Sequence, residues 1–287
     1  MGAGIALVFA RAGSKVALHA RRRSTLERAR TRIREVESRV RLTRSLESAV
    51  RDAELVVESV IEDLATKRSL LTRVEQLAPE GALLATNTSS LPIEELASAL
   101  ERPAALAGMH WFNPPDLVDL VEIVAGPATA PELTETLAGW AAALGKTPVV
   151  VRRDVPGFVA NRLQYALIRE AYGLVEAGVA TYADVDAAVR SGLGPRWAAV
   201  GPFESMDLAG LDVHQEVARR LFPTLSNDRE PPPALTRLVA GGNLGTKTRH
   251  GLRGRYSSAA VAELEQRRAS VLHALWDLRR ASGGRGS

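Results

Sequence analysis

Short apolar runs alternate with helical-spacing segments along the first half of the chain. Residues 2–13 place apolar side chains on one face and close on a glycine, the pattern of a helix and its stop. Residues 15–20 read as a strand. Residues 23–40 read as one long amphipathic helix rich in Arg and Glu, followed by a short strand at 40–43 and a short helix at 46–51. Residues 55–60 form an apolar run of the buried-strand kind, and 63–77 a helix with Asp63 near its cap. Further apolar runs at 82–85, 104–109 and 117–124 predict three more strands, parallel or mixed. A helix at 131–144 and a last strand at 147–151 follow. Such alternation predicts an α/β fold with a Rossmann-like, doubly wound parallel sheet.

The pattern changes after residue 152. Residues 152–157 read as a turn, and the domain boundary is placed there, giving a dinucleotide-binding domain at 1–152 and a second domain at 153–287. Residues 158–177 predict a strongly apolar helix that contains Asn161. A second helix spans 182–191, a Gly/Pro-containing loop 192–212, a helix 213–221, and an amphipathic C-terminal helix 260–280. The run Pro231-Pro232-Pro233 marks a loop, and the tail 282–287 reads as disordered. The second domain is predicted all-helical, with apolar stripes that can bury against a second copy, so a homodimer is expected.

Composition narrows the classes. The 287 residues include no Cys, which excludes disulfides and thiolate metal sites, and no His spacing suggests a metal. No apolar run reaches membrane-spanning length and no signal-peptide pattern opens the chain, so a cytoplasmic protein with no membrane partner is expected. The net charge is +4, but the basic residues are spread out and mixed with acids, without interleaved aromatics. That argues against a nucleic-acid partner.

Candidate chemistry concentrates between residues 87 and 122. Asn87 to Ser90 follow an apolar run and would sit at a strand's C-terminal end, where open α/β sheets bind ligands. His110 ends a second run and Glu122 lies in a third. Adjacent strands can bring Ser89, His110 and Glu122 together, and a buried His beside a carboxylate is a general-base arrangement. Alone, His110 would more often be a core histidine. Asn161 in an apolar helix needs hydrogen-bond partners, which favours a functional place for it.

These segments resemble those of a known family. Asn87-Thr88-Ser89-Ser90-Leu91, His110-Trp111-Phe112-Asn113-Pro114, Leu120-Val121-Glu122 and Pro156-Gly157-Phe158-Val159-Ala160-Asn161-Arg162 resemble the signature segments of the 3-hydroxyacyl-CoA dehydrogenases. Within the family, residues 157–163 with Gly192-Leu193-Gly194-Pro195-Arg196-Trp197 and Gly201-Pro202 look closest to its lambda-crystallin and L-gulonate 3-dehydrogenase branch. The resemblance implies an oxidoreductase that moves a hydride between a nicotinamide cofactor and the 3-hydroxyl of a small 3-hydroxyacyl-CoA or free 3-hydroxy acid. It implies that His110 takes the hydroxyl proton, that Glu122 orients and charge-balances His110, and that Ser89 and Asn161 hydrogen-bond the reacting oxygen or the neighbouring carbonyl. Asn113 is implied as a further substrate contact, and Gly2, Arg21, Arg22, Glu62, Lys67 and Asn87 as cofactor contacts.

The chain departs from that family in four places. The strand before the first helix is missing, and Met1-Gly2 correspond to the end of a Gly-x-Gly-x-x-Gly turn. The usual acidic residue after the second strand is replaced by Ala20-Arg21-Arg22-Arg23, which leans the cofactor from NAD towards NADP. The 23–40 segment is short for a CoA-binding hairpin, and Arg196 offers a guanidinium for a free carboxylate instead. The segment 245–253 carries Arg249, Leu252 and Arg253 where the family has Gly, Phe and Tyr. The alternative is a non-catalytic structural or binding protein on the same scaffold. A relative with a catalytic Lys is disfavoured, because the helix from Phe158 has none.

Overall fold

The computed structural model describes residues 1–283, so residues 284–287 of the predicted tail lie outside the described residues. The chain divides into two compact units, one of residues 1–162 with 270–287 and one of residues 163–269. The division falls inside a helix, ten residues beyond the boundary expected at 152.

In the first unit the elements run α1 (Gly2–Arg11), β1 (Val16–His19), α2 (Arg23–Arg32), β2 (Val40–Thr43), α3 (Leu46–Val50), β3 (Leu55–Glu58), α4 (Leu64–Leu77) and β4 (Leu83–Thr86). They continue with α5 (Ile93–Ala97), β5 (Leu106–Trp111), β6 (Leu120–Val124), α6 (Pro131–Ala143) and β7 (Thr147–Val151). Five strands form a mixed sheet in the order β3-β4-β5-β6-β7, parallel at every step except β5 with β6. The other two, β1 and β2, form a separate parallel pair. The strands thus fall into two sheets, and no strand joins β1 to β3 among the described residues.

Alternation along the strands builds the layers. Leu84 and Leu106 face the side chains of α4 and α5, including Leu71, Val74, Ile93 and Leu96. Their neighbours Ala85 and Ala107 face the opposite side, against Leu133 and Leu137 of α6 and Ile5 and Val8 of α1. Helix α1 also packs Leu7 and Ala10 against Ile33, Val36 and Val40. One helix thus seals both sheets with two of its faces. That packing explains a correction. The predicted helix 23–40 ends at Arg32, and residues Arg34–Arg39 tighten into a 3-10 turn, so that fully buried Ile33 and buried Val36 reach α1.

The second unit contains most of α7 (Ala160–Glu176), then α8 (Tyr182–Ala188), α9 (Gly194–Ala199), α10 (Pro202–Ala209), α11 (Leu211–Leu221) and α12 (Pro233–Ala240). A hairpin of β8 (His250–Gly251) and β9 (Gly254–Arg255) precedes α13 (Ser258–Gly283), which returns to the first unit. The unit is helical apart from that small hairpin. The Gly/Pro segment 192–212 is helix rather than loop, because Pro195 and Pro202 occupy first-turn positions, where proline's missing N–H costs nothing. Pro233 opens α12 in the same way. Many large apolar side chains on α10 and α11 are exposed, with Phe203 at 79% and Leu208 at 78%. No helix among the described residues is long and apolar enough to cross a membrane.

Candidate active site

His110 and Glu122 stand directly opposite each other on the antiparallel pair β5 and β6. Twelve residues of separation place them there because the chain leaves β5, turns through Asn113 to Asp119 and returns in register. Side chains opposite on neighbouring strands share a face, and His110 Nδ1 lies 2.8 Å from Glu122 Oε2. Both residues are buried. Phe112 and Phe158 pack against the imidazole at 4.5 and 5.5 Å between ring centres.

The second oxygen of Glu122 fastens the pair to the next segment. Oε1 accepts the amides of Val159 at 2.9 Å and Ala160 at 2.8 Å. A carboxylate there satisfies donors that the first turn of α7 leaves open and complements its dipole. The delivery depends on backbone shape: Gly157 and Phe158 both take positive φ, +78° and +51°. Burial opposes ionisation of Glu122, but the bonds from His110, Ala160 and Val159 outweigh it and hold its carboxyl below the ordinary value. An ionised Glu122 keeps the proton on Nδ1 and leaves the Nε2 lone pair of a neutral His110 open as a base. Asn161 follows immediately, half-buried, so the Glu122 anchor sets its backbone position.

Ser89 is held elsewhere. It sits past the C-terminal end of β4, as expected, but its amide donates to Glu62 Oε1 at 2.8 Å and its hydroxyl lies 3.2 Å from the same oxygen. Thr88 Oγ1 and the Ser90 amide add bonds of 2.6 and 3.0 Å. Burial raises the Glu62 carboxyl, and these bonds together with the charge of Lys67 overcome it and bring the pKa to about 2. Asn87 is fixed between strands: its Oδ1 accepts the Trp111 amide at 2.8 Å and its Nδ2 donates to Ser59 Oγ at 3.3 Å.

Lys67, expected at the cofactor, lies behind the 87–90 loop. It is fully buried, with Nζ 2.9 Å from both oxygens of Glu58 and 3.3 Å from Glu62 Oε2. An ammonium so enclosed has no surface to offer a cofactor directly. Asn113 is exposed beside a cis Asn113–Pro114 bond. Arg196 is exposed on α9, in the other unit.

The residues that could hold a dinucleotide lie past the C-terminal ends of β1, β3 and β4. Arg21 and Arg22 are exposed just beyond β1, and Arg22 is the extended residue that precedes α2. The first turn of α1 has no side-chain cap on Met1, which leaves amides open at a helix N-terminus, the donor set that suits a pyrophosphate. At Gly2 a Cβ would meet Leu18 at an ordinary 3.8 Å, whereas at Gly4 it would press on Pro115 at 2.5 Å. Gly4 therefore serves packing, and Gly2 stands at the open helix start. Anion-binding amides at one end and polar amide and hydroxyl groups at the other fit a dinucleotide laid along this edge.

Sequence reasoning did not reach Thr86, Thr88 or the amides of Val159 and Ala160. A lone acid closing the apolar run 55–58 was the available signal for Glu58, and Gly157 was the signal for the turn.

Comparison with known families matches residues 1–155 to the 3-hydroxyacyl-CoA dehydrogenase NAD binding domain and residues 157–254 to the 3-hydroxyacyl-CoA dehydrogenase C-terminal domain. The 5-formyl-3-hydroxy-2-methylpyridine 4-carboxylate 5-dehydrogenase of Mesorhizobium japonicum is 35% identical over 267 residues, covering 88% of this chain and 86% of its own. The 3-hydroxybutyryl-CoA dehydrogenase of Clostridioides difficile is 32% identical over 270 residues, covering 88% and 94%. A crystal structure of a 5-formyl-3-hydroxy-2-methylpyridine 4-carboxylic acid 5-dehydrogenase, described as an NAD+-dependent dismutase, superposes with a TM-score of 0.92. It is 34% identical, with 100% of this chain and 96% of that one covered.

Proposed function

The chain belongs to the 3-hydroxyacyl-CoA dehydrogenase family, and from that premise we propose that it oxidises or re-forms the 3-hydroxyl of a small 3-hydroxy acid or its CoA thioester, with His110 as the general base. The observation that carries this reading is the His110–Glu122 pair anchored to the first amides of α7. The nicotinamide cofactor, when bound, takes or gives the hydride at C3. His110 Nε2 takes the hydroxyl proton in oxidation, and Glu122 stabilises the imidazolium that results. Ser89 and Asn161 supply hydrogen bonds to the oxygen on which charge develops. Buried Phe158 and half-buried Phe112 keep water from the imidazole.

Two features bear on the substrate. No helical hairpin lies between α2 and β2, where only a 3-10 turn is found, and this favours a free carboxylate over a CoA thioester. The Mesorhizobium relative is named for a carboxylate and the Clostridioides relative for a CoA ester. For the cofactor, the family description and the dismutase structure support NAD. The pair Arg21 and Arg22, with no acid at Ala20, supports acceptance of a 2′-phosphate.

A homodimer built on the second unit belongs to the same proposal. Its support is the apolar face that α10 and α11 expose, with Phe203, Leu208, Leu211 and Val213 turned to solvent.

The test is a fluorescence titration with NADH and NADPH, followed by turnover of acetoacetyl-CoA and of acetoacetate. Saturable binding of either nucleotide with turnover of either substrate is expected. Binding of neither would favour the non-catalytic alternative.

A further inference from the structure

Beneath the 87–90 loop lies a charged cluster whose deepest member has no part in the chemistry above. Glu58 ends β3, is buried, and uses both oxygens fully. Each accepts from Lys67 Nζ at 2.9 Å; Oε1 also accepts the Val60 amide at 2.5 Å, and Oε2 the Thr86 hydroxyl at 2.7 Å. Lys67 then reaches Glu62 Oε2 at 3.3 Å, and the other oxygen of Glu62 gathers Thr88, Ser89 and Ser90.

The charges explain why the arrangement transmits position. One buried ammonium serves two carboxylates, and it is chelated by the deeper one, Glu58. A buried cation cannot be left without its counter-charge. If Glu58 lost its charge, Lys67 would pair with Glu62 alone and draw that carboxylate inward, away from the loop amides. A second route leads the same way: Thr86 Oγ1 donates to Glu58 and accepts the Thr88 amide at 3.3 Å. Both routes end on the residues before and at Ser89.

We infer that Glu58 is a positioning residue for the 87–90 loop, acting through Lys67 and Glu62 and, in parallel, through Thr86. The inference rests on the reading of Ser89 and Asn87 as site groups.

Hydrogen exchange of the full chain, followed by mass spectrometry on wild type and Glu58→Gln, tests it directly. The expected result is exchange at least tenfold faster for the amides of residues 88–90, with the β5 amides unchanged. NADH Kd, from fluorescence, is expected to rise about tenfold. Uniformly faster exchange would mean a general loss of stability and would overturn the inference, as would unchanged exchange at 88–90. Should Glu58→Gln fail to fold, Glu58→Asp keeps the charge but draws the carboxylate back from Lys67 Nζ and the Thr86 hydroxyl. It is expected to free the same three amides, and protected amides there would overturn the inference. Ser89→Ala, assayed in parallel for turnover of acetoacetyl-CoA and acetoacetate, separates the two ideas. Wild-type turnover in Ser89→Ala would sink the reading of the loop as part of the site, while the exchange result still judges the coupling to Glu58.

Discussion

Replacing Glu122 with Gln keeps the side chain's size and its ability to accept the Val159 and Ala160 amides, but removes its charge. The structure sets the size of the effect. Glu122 Oε2 is 2.8 Å from His110 Nδ1, and both groups are buried. With charge centres about 4 Å apart and an effective dielectric constant near 20, the carboxylate stabilises an imidazolium by about 4 kcal/mol. That energy is absent when the imidazole is neutral, so it acts on the step in which His110 carries the extra proton. Lost entirely, it lowers kcat by about a thousandfold. Turning two charge-assisted amide bonds into neutral ones costs a further ~2 kcal/mol in stability. The assay is steady-state turnover of acetoacetyl-CoA or acetoacetate with NADH, alongside NADH titration and thermal unfolding. The expected pattern is a large fall in kcat, a near-normal Kd for NADH, and a modestly lower Tm. A variant that kept kcat within fivefold of wild type would refute the role given to Glu122, whatever its Tm.

Three further outcomes follow from the geometry. The Glu62 carboxyl is held at about 2, below its ordinary 4.5, so it contributes stability that is present above pH 4.5 and lost as pH falls towards 2. Because the group is a third exposed, that contribution is about 1–2 kcal/mol, and acid titrations of unfolding should show Glu62→Gln losing stability less steeply below pH 4.5 than wild type. Arg249 takes φ +59° beside the β8–β9 hairpin, a conformation that costs a side-chain-bearing residue about 1 kcal/mol, so Arg249→Gly should unfold later in urea by about that amount. Sedimentation of the full chain should give twice the 30.8 kDa chain mass, and charged substitutions at Phe203 and Leu208 should shift it towards the single-chain mass.

What the sequence made legible, and what it did not, has physical causes. The His110–Glu122 pair was readable because a period-two element and a twelve-residue return place two side chains on one face. Its anchoring was not, since it depends on the positive φ of Phe158, which no pattern of types announces. Lys67 looked like a ligand by family resemblance, yet its burial between two acids is a tertiary fact. Ser89 was placed correctly at the end of β4, but its present partner, Glu62, lies 27 residues away in sequence. Prolines misled in one direction: Pro195, Pro202 and Pro233 were read as loop marks although each opens a helix.

The central claim is that His110 is the base of a hydride-transfer site, and its most direct measurement is turnover by His110→Ala beside the wild type. Acetoacetyl-CoA and acetoacetate would be offered with NADH and with NADPH, and nucleotide affinity measured on the same samples. The account predicts a fall in kcat of at least a hundredfold, with nucleotide Kd unchanged. Equal turnover by the two proteins would contradict it.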